Sequence, residues 1–331
     1  MSIISTTGPD GSGKTTIVKK LSEKLGYPTQ HFDKPKDMLD AKNQYFSFVD
    51  NLAENESKIA DRFHEGEWIY APKLRGYTAD YLREFERKVI NKHSFLQVFV
   101  KAELETIIKR TRVRGEDFIK EEDFQTFLDL FEEFMDNQAM PFIEIDTTNS
   151  KTENDVKRII EAFEKAKIIW DLVKNGSCSN TVLKPVQPRG NIEGKVMVVA
   201  QNPGGRGEGE YSTVWADGNN SKFLLDATKK AGIFRDTWFT NLVPYPTQDN
   251  QITKAQIEEV EHIIYAQVEL IKPKVIIGLG NIVNEHLNKL FGGNVPIIEL
   301  KHPAYVKRFL SGDKDYKTKY SLDFAEAKKY L

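Results

Sequence analysis

The sequence predicts an α/β protein of two domains, each a mainly parallel sheet with helices on both faces. Three observations predict it. Short apolar runs alternate with helical stretches along the 331 residues, the pattern of parallel strands joined by helical crossovers. Two of those runs, residues 2–7 and 195–200, lead straight into glycine-rich turns, as the opening strand of an α/β unit does. A stretch rich in Gly, Ser, Asn and Pro, residues 174–194, lies between them and reads as loop or linker.

The elements follow in order. Residues 2–7, 95–100 and 142–145 read as buried strands of the first domain, with helices over 101–110 and 121–137. Residues 155–169 place Val156, Ile159, Ile160, Phe163, Ala166 and Ile169 three and four apart, one face of an amphipathic helix. The second domain opens with the strand 195–200 and continues with strands over 238–243, 275–279 and 296–300 and helices over 222–231 and 253–271. A chain of this length exceeds one comfortable core, and the division is expected near residue 166, giving domains 1–166 and 167–331. No internal repeat or low-complexity tract interrupts the pattern.

Composition narrows the class. Apolar residues at 40% and charged residues at 29% describe a globular chain. With 47 Lys and Arg against 49 Asp and Glu, the net charge of −2 excludes a strongly basic whole chain. The halves differ: residues 1–165 carry 25 basic and 31 acidic groups, residues 166–331 carry 22 and 18. The mild excess of base in the second half suits a polyanionic partner or a surface of solvated lysines. One cysteine, Cys178, excludes an intramolecular disulfide, a cysteine-rich zinc site and a four-cysteine iron–sulfur cluster. No run approaches a membrane span, and the first residues lack a basic segment followed by a long apolar one. The expectation is a soluble, cytoplasmic protein with no membrane partner.

Residues 8–16 read Gly8-Pro9-Asp10-Gly11-Ser12-Gly13-Lys14-Thr15-Thr16. They complete the pattern G-x-x-x-x-G-K-[ST] between a predicted strand and a predicted helix. Glycines let successive N–H groups turn inward around phosphate oxygens, and the following helix adds its positive end. Lys14 then serves the β- and γ-phosphates of ATP, and the Thr15 hydroxyl serves Mg2+. The segment resembles the phosphate loop of the thymidylate kinase family, in which an acidic residue at the Asp10 position and a double threonine recur. Asp61-Arg62 resembles that family's Asp-Arg pair. The resemblance implies that Arg62 grips the acceptor phosphate and that Asp61 lies near Mg2+. It also implies an arginine-rich lid, for which Arg110, Arg112 and Arg114 are the candidates. Thr7 stands where the family commonly has glutamate, and Asp33-Lys34-Pro35 where it has Arg-Glu-Pro, so the acceptor is left open. Asp10 is a candidate for a sugar hydroxyl; Phe63 and Tyr70 are candidates to stack on the base or to belong to the core.

Three pieces of the second half each end a predicted strand, where open α/β sheets bind ligands. They are Gln201-Asn202-Pro203-Gly204-Gly205, Thr240-Asn241-Leu242-Val243-Pro244 and His302-Pro303-Ala304-Tyr305. As an ordered set they resemble the uracil-DNA glycosylase superfamily, which flips a base out of the stack and cuts its glycosidic bond. The resemblance implies that Asn202 positions water, Asn241 reads the base edge and His302 stabilises the departing base. Tyr211, Trp215 and Phe223 are candidates to stack on that base. Lys307 and Arg308 are candidates for DNA phosphates or for plain solvent-exposed charge. One branch of the superfamily holds an iron–sulfur cluster on four cysteines; with Cys178 alone, no cluster is expected here.

Both halves therefore point to pyrimidine deoxynucleotides. The expected function is ATP- and Mg2+-dependent phosphorylation of a dTMP- or dUMP-like monophosphate, joined to a domain that excises or recognises a uracil-type base. The alternative is a kinase acting on a hydroxymethylated pyrimidine within DNA, with the second domain as a non-catalytic reader. A fusion of this kind points to a phage-encoded system in the host cytoplasm, with nucleotides and DNA as partners.

Overall fold

The computed structural model describes residues 2–53, 56–115, 119–137, 140–181, 185–203, 219–247 and 251–331. The chain forms two compact units, Met1–Lys167 and Ile168–Leu331. No helix among the described residues is long and apolar enough to cross a membrane.

In the first unit the strands are β1 (Ser2–Thr7), β2 (Thr29–His31), β3 (Ser57–Asp61), β4 (Ser94–Lys101) and β5 (Pro141–Asp146). They lie in the order β5-β4-β1-β3-β2, every neighbouring pair parallel. β1 is the central strand and is buried along its whole length, so the turn that follows it sits at the middle of the sheet's carboxyl edge. The helices are α1 (Lys14–Leu25), α2 (Met38–Asp50), α3 (Glu65–Tyr70), α4 (Leu82–Lys92), α5 (Leu104–Arg114), α6 (Phe124–Met135) and α7 (Thr152–Asn175), which begins in this unit and ends in the second. The helices α2 to α6 pack into two apolar clusters, one with Phe32, Tyr45, Phe63 and Phe85, the other with Phe99, Phe127 and Phe131.

The boundaries differ from the sequence expectation in instructive ways. Lys101 remains in β4, opposite Asp146 of β5, so α5 starts later and runs on to Arg114. Arg112 and Arg114 therefore sit in the last turn of a helix rather than in a loop beyond one. The helix expected over 121–137 opens with a 3-10 turn, Glu121–Asp123, where three successive carboxylates leave no apolar face to bury.

The second unit contains β6 (Arg189–Asn191), β7 (Val196–Ala200), β8 (Thr237–Asn241), β9 (Val275–Leu279) and β10 (Ile297–Leu300). The order is β10-β9-β7-β8-β6, parallel except for the short β6, which runs antiparallel to β8. The helices α8 (Asn219–Lys230), α9 (Lys254–Ile271), α10 (Asn281–Phe291), α11 (Pro303–Phe309) and α12 (Tyr316–Ala325) complete it. β7 and β9 read Val-Met-Val-Val-Ala and Val-Ile-Ile-Gly-Leu and are buried throughout, as strands covered on both faces must be. α9 opens with a full capping box, Thr253 and Gln256 bonding each other's backbone N–H.

Candidate functional site

Two sites arise at the carboxyl ends of strands, one in each unit.

In the first unit the turn between β1 and α1 is shaped by glycine. Gly8 has φ +140, and a Cβ there would lie 2.0 Å from the Val100 carbonyl oxygen; no other residue fits. Gly13, at φ +96, opens α1. The first turn of α1 holds Lys14, Thr15 and Thr16 and no carboxylate, so its unpaired N–H groups and the helix dipole favour an anion. Lys14 is buried and donates to the carbonyls of Gly8 and Pro9, both at 2.7 Å. Burial pushes its pKa down to about 8; Arg62 and Arg114 add to the depression, while Asp10 and Asp61 oppose it.

Asp10 lies 3.9 Å from the Lys14 ammonium and 3.8 Å from the Arg62 guanidinium. Arg62 has φ +57, a left-handed backbone that costs a side-chain-bearing residue of order 1 kcal/mol and clusters at functional positions. Asp61, at the end of β3, accepts from Thr6 and contacts His31 Nδ1 at 2.9 Å. The sequence reading missed His31.

Next to the loop is a cavity of about 170 Å3. Asp10, Lys14 and Arg62 line it together with Pro35 and with Thr7, Asp33 and Lys34, the positions that depart from the kinase pattern. Phe63 and Tyr70 also line it, but in different ways. Phe63 is locked among Phe32, Tyr45, Phe48 and Phe85, so it is a core residue that shows one edge. Tyr70 is half-buried and packs against Phe127 at 5.3 Å. The far wall is polar: buried Glu67 accepts from Arg75 and from Tyr77. Arg75 closes a single π-helical turn, Ala71–Arg75, a rare element frequent at functional sites. Sequence reasoning missed this wall, although a π-turn offers no spacing from which to read it.

The three lid arginines separate. Arg110 donates to the Gly11 carbonyl at 3.3 Å and to both the hydroxyl and the carbonyl of Thr147. It clamps the loop from behind, which corrects its reading as a mobile lid residue. Arg112 is paired with Glu121 away from the loop. Arg114, in the last turn of α5, acts on the Lys14 charge through space.

In the second unit, Asn202 follows β7, Asn241 ends β8 and His302 follows β10. β7 lies beside β8, and β10 is two strands from β7, so the three residues span roughly 10–15 Å of one edge at about 4.8 Å per strand. Asn202 Nδ2 donates to the Thr247 hydroxyl at 3.1 Å. Asn241 is buried, and neither its amide nitrogen nor its oxygen has a partner among the described residues. His302 caps α11: Nδ1 accepts from the Ala304 N–H at 3.2 Å, and burial lowers its pKa. The neutral ring therefore carries its proton on Nε2, free to be donated. Between them, β9 is followed by Gly280 at φ +98, which caps α10 and where a Cβ would meet that of His302 at 3.5 Å.

Two expectations change here. Phe223 stacks on Tyr320 of α12, centroids 5.2 Å apart and planes 5° apart; it belongs to a helix–helix contact and not to the strand ends. Arg308 lies over the Phe309 ring, whereas Lys307 lines a groove. Gly204, Gly205, Tyr211 and Trp215 lie outside the described residues.

Loop and cavity define a P-loop nucleotide-binding unit, and it is followed by a second α/β unit whose candidate residues stand at strand ends. Residues 187–325 match the Uracil DNA glycosylase superfamily. The SPbeta prophage-derived protein YorR of Bacillus subtilis (strain 168) is 31% identical over 167 residues, 50% of this chain and 100% of YorR. The DNA polymerase of Bacillus phage SP01 is 30% identical over 111 residues, 32% of this chain but 12% of the polymerase. Among solved structures, YorR in complex with phosphorylated GDP aligns at 29% identity and a TM-score of 0.44, over 50% of this chain and 98% of that one. The deoxyadenosine kinase of M. mycoides aligns at 23% identity and a TM-score of 0.37, over 49% and 98%. In its N-terminal half the chain belongs to the YorR family, and it carries a uracil DNA glycosylase superfamily domain at 187–325.

Proposed function

We propose that the first unit transfers the γ-phosphoryl group of ATP to a pyrimidine deoxynucleoside monophosphate of the dTMP or dUMP type. The second unit takes up a uracil-type base of DNA, by excision or by recognition. The observation that supports the kinase reading is the placement of Asp10 between Lys14 and Arg62 at the cavity: one cation stands on the donor loop, the other on the acceptor side.

In this reading the loop amides and Lys14 hold the β- and γ-phosphates. Arg62 draws the acceptor phosphate towards the γ-phosphorus, and an acceptor phosphate oxygen bonds to that phosphorus. The bond from γ-phosphorus to the β–γ bridging oxygen breaks, releasing ADP. Arg114 and Lys14 answer the charge that accumulates between the two, since positioning and charge neutralisation dominate phosphoryl transfer. Thr15 and Asp61 would hold Mg2+; hydroxyl and carboxylate oxygens with phosphate oxygens form the donor set that this hard cation takes. When bound, it neutralises phosphate charge.

For the second unit, the supporting observation is the buried side-chain amide of Asn241, which has no partner among the described residues: a pyrimidine edge would offer it a donor and an acceptor. The His302 Nε2–H would donate to the oxygen of the departing base, and Asn202 would hold water. Asparagine is no general base, so base release is slow. Uracil-containing single- and double-stranded DNA incubated with the protein, then probed for abasic sites, tests this. Abasic sites that vanish in Asn202→Ala/His302→Ala support excision; their absence from the wild type leaves recognition.

A further inference from the structure

The groove between α8, α11 and α12 of the second unit has a volume of about 250 Å3 and is lined by Lys222, Lys230, Lys307 and Lys317. We propose that it is a track for the phosphodiester backbone of DNA.

Lys222, Asp226 and Lys230 recur every four residues and so share one face of α8. Lys307 comes from α11 and Lys317 from α12. None of the four lysines has a carboxylate within ion-pair distance among the described residues, although Asp226 lies in the same groove. Some exposed lysines of this unit have one, Lys254 with Glu258, Lys319 with Asp313 and Lys329 with Glu326, whereas others outside the groove, such as Lys289 and Lys314, have none among the described residues. What sets the groove apart is that four lysines share one concavity with a single carboxylate, Asp226, the electrostatic footprint of a polyanion site.

The spacing selects a polymer over a single phosphate. Lys222 and Lys230 are eight residues apart, about 12 Å along α8, too far for one phosphate and suited to two phosphates of one strand with another between them. The groove is also rigid, because Phe223 and Tyr316 in its wall belong to the apolar cluster beneath it. It leads to the candidate base site: Lys307 lies five residues beyond His302, about 7.5 Å along α11. The inference rests on the reading of this unit as DNA-handling only for the identity of the polymer.

The test is fluorescence anisotropy of the full chain with a labelled thymidine oligonucleotide of about 16 nucleotides, alone and paired with its complement, across a salt series. It contains no uracil, so binding is scored apart from base chemistry. Lys222→Glu/Lys317→Glu is compared with Lys254→Glu/Lys289→Glu, which changes the net charge equally outside the groove. The groove pair should weaken binding at least about tenfold and flatten the salt slope for the single strand by about 1.4, two phosphate contacts at about 0.7 each. The control pair should change affinity less than about twofold. Equal losses in both pairs, an unchanged slope, or no binding by the wild type would overturn the proposal. Groove-dependent binding without any abasic sites in uracil DNA would sink only the excision reading.

Discussion

The Arg110 guanidinium donates to the Thr147 hydroxyl at 2.9 Å and to the Thr147 carbonyl at 2.7 Å, while that hydroxyl donates to the Ser12 carbonyl at 2.6 Å. The turn after β5 thereby holds the phosphate loop in shape. Arg110→Ala should cost about 1.5–3 kcal/mol of stability, the range for a charged hydrogen bond, and raise the KM for ATP more than it lowers kcat. Arg110→Lys should not rescue it, because an ammonium does not reproduce the planar fork. A double-mutant cycle with Thr147→Val checks the pair; a coupling below about 0.5 kcal/mol would mean that the two residues act independently.

Burial of Lys14 makes stability depend on pH above neutrality. Its pKa of about 8 in the fold lies below the ordinary 10.5, so the unfolded chain binds more protons between those values and stability rises with pH across that window. Lys14→Met should therefore stabilise the nucleotide-free protein at pH 7 by about 1–3 kcal/mol, flatten that rise and abolish phosphoryl transfer. Thermal melts from pH 7 to 10.5, with and without ATP, measure it.

Asn241 should show function set against stability. An unpartnered buried amide costs about 1–3 kcal/mol, so Asn241→Leu should leave the melting temperature unchanged or raise it. Binding of uracil-containing DNA should fall by about tenfold or more, the value of a lost hydrogen-bonded contact. A strongly destabilised variant would show that the amide is a structural member of the core.

For His302 the pKa is lowered by burial. Its share of stability is therefore complete above the ordinary value of 6.5 and is lost as pH falls below it, where the unfolded chain takes up the proton first. Nitrogen-15 NMR should find the neutral ring protonated on Nε2 at pH 7, with a titration midpoint below 6.5. A midpoint above 6.5, or the proton on Nδ1, would contradict the geometry at Ala304.

What the sequence made legible was local. The segment from Gly8 to Thr16 shows its chemistry through spacing alone, and the buried strands β4, β7 and β9 announce themselves as apolar runs. Long-range pairing was opaque. Arg110 looks like any helix-end arginine until Thr147, 37 residues on, comes under it. Phe223 carries the same aromatic signature whether it faces a base or Tyr320. The Glu67–Arg75–Tyr77 wall depends on a π-turn, for which no periodicity exists, and β6 is three residues long with a glycine at its centre.

The most direct measurement is the fate of the label from γ-phosphate-labelled ATP offered with Mg2+ to the full chain, with dTMP and dUMP in one tube and duplex DNA containing hydroxymethyluracil in another. The account predicts labelled deoxynucleoside diphosphate in the first tube, lost in Arg62→Ala, and unlabelled DNA in the second. Label confined to the DNA, or found in neither tube, would contradict it.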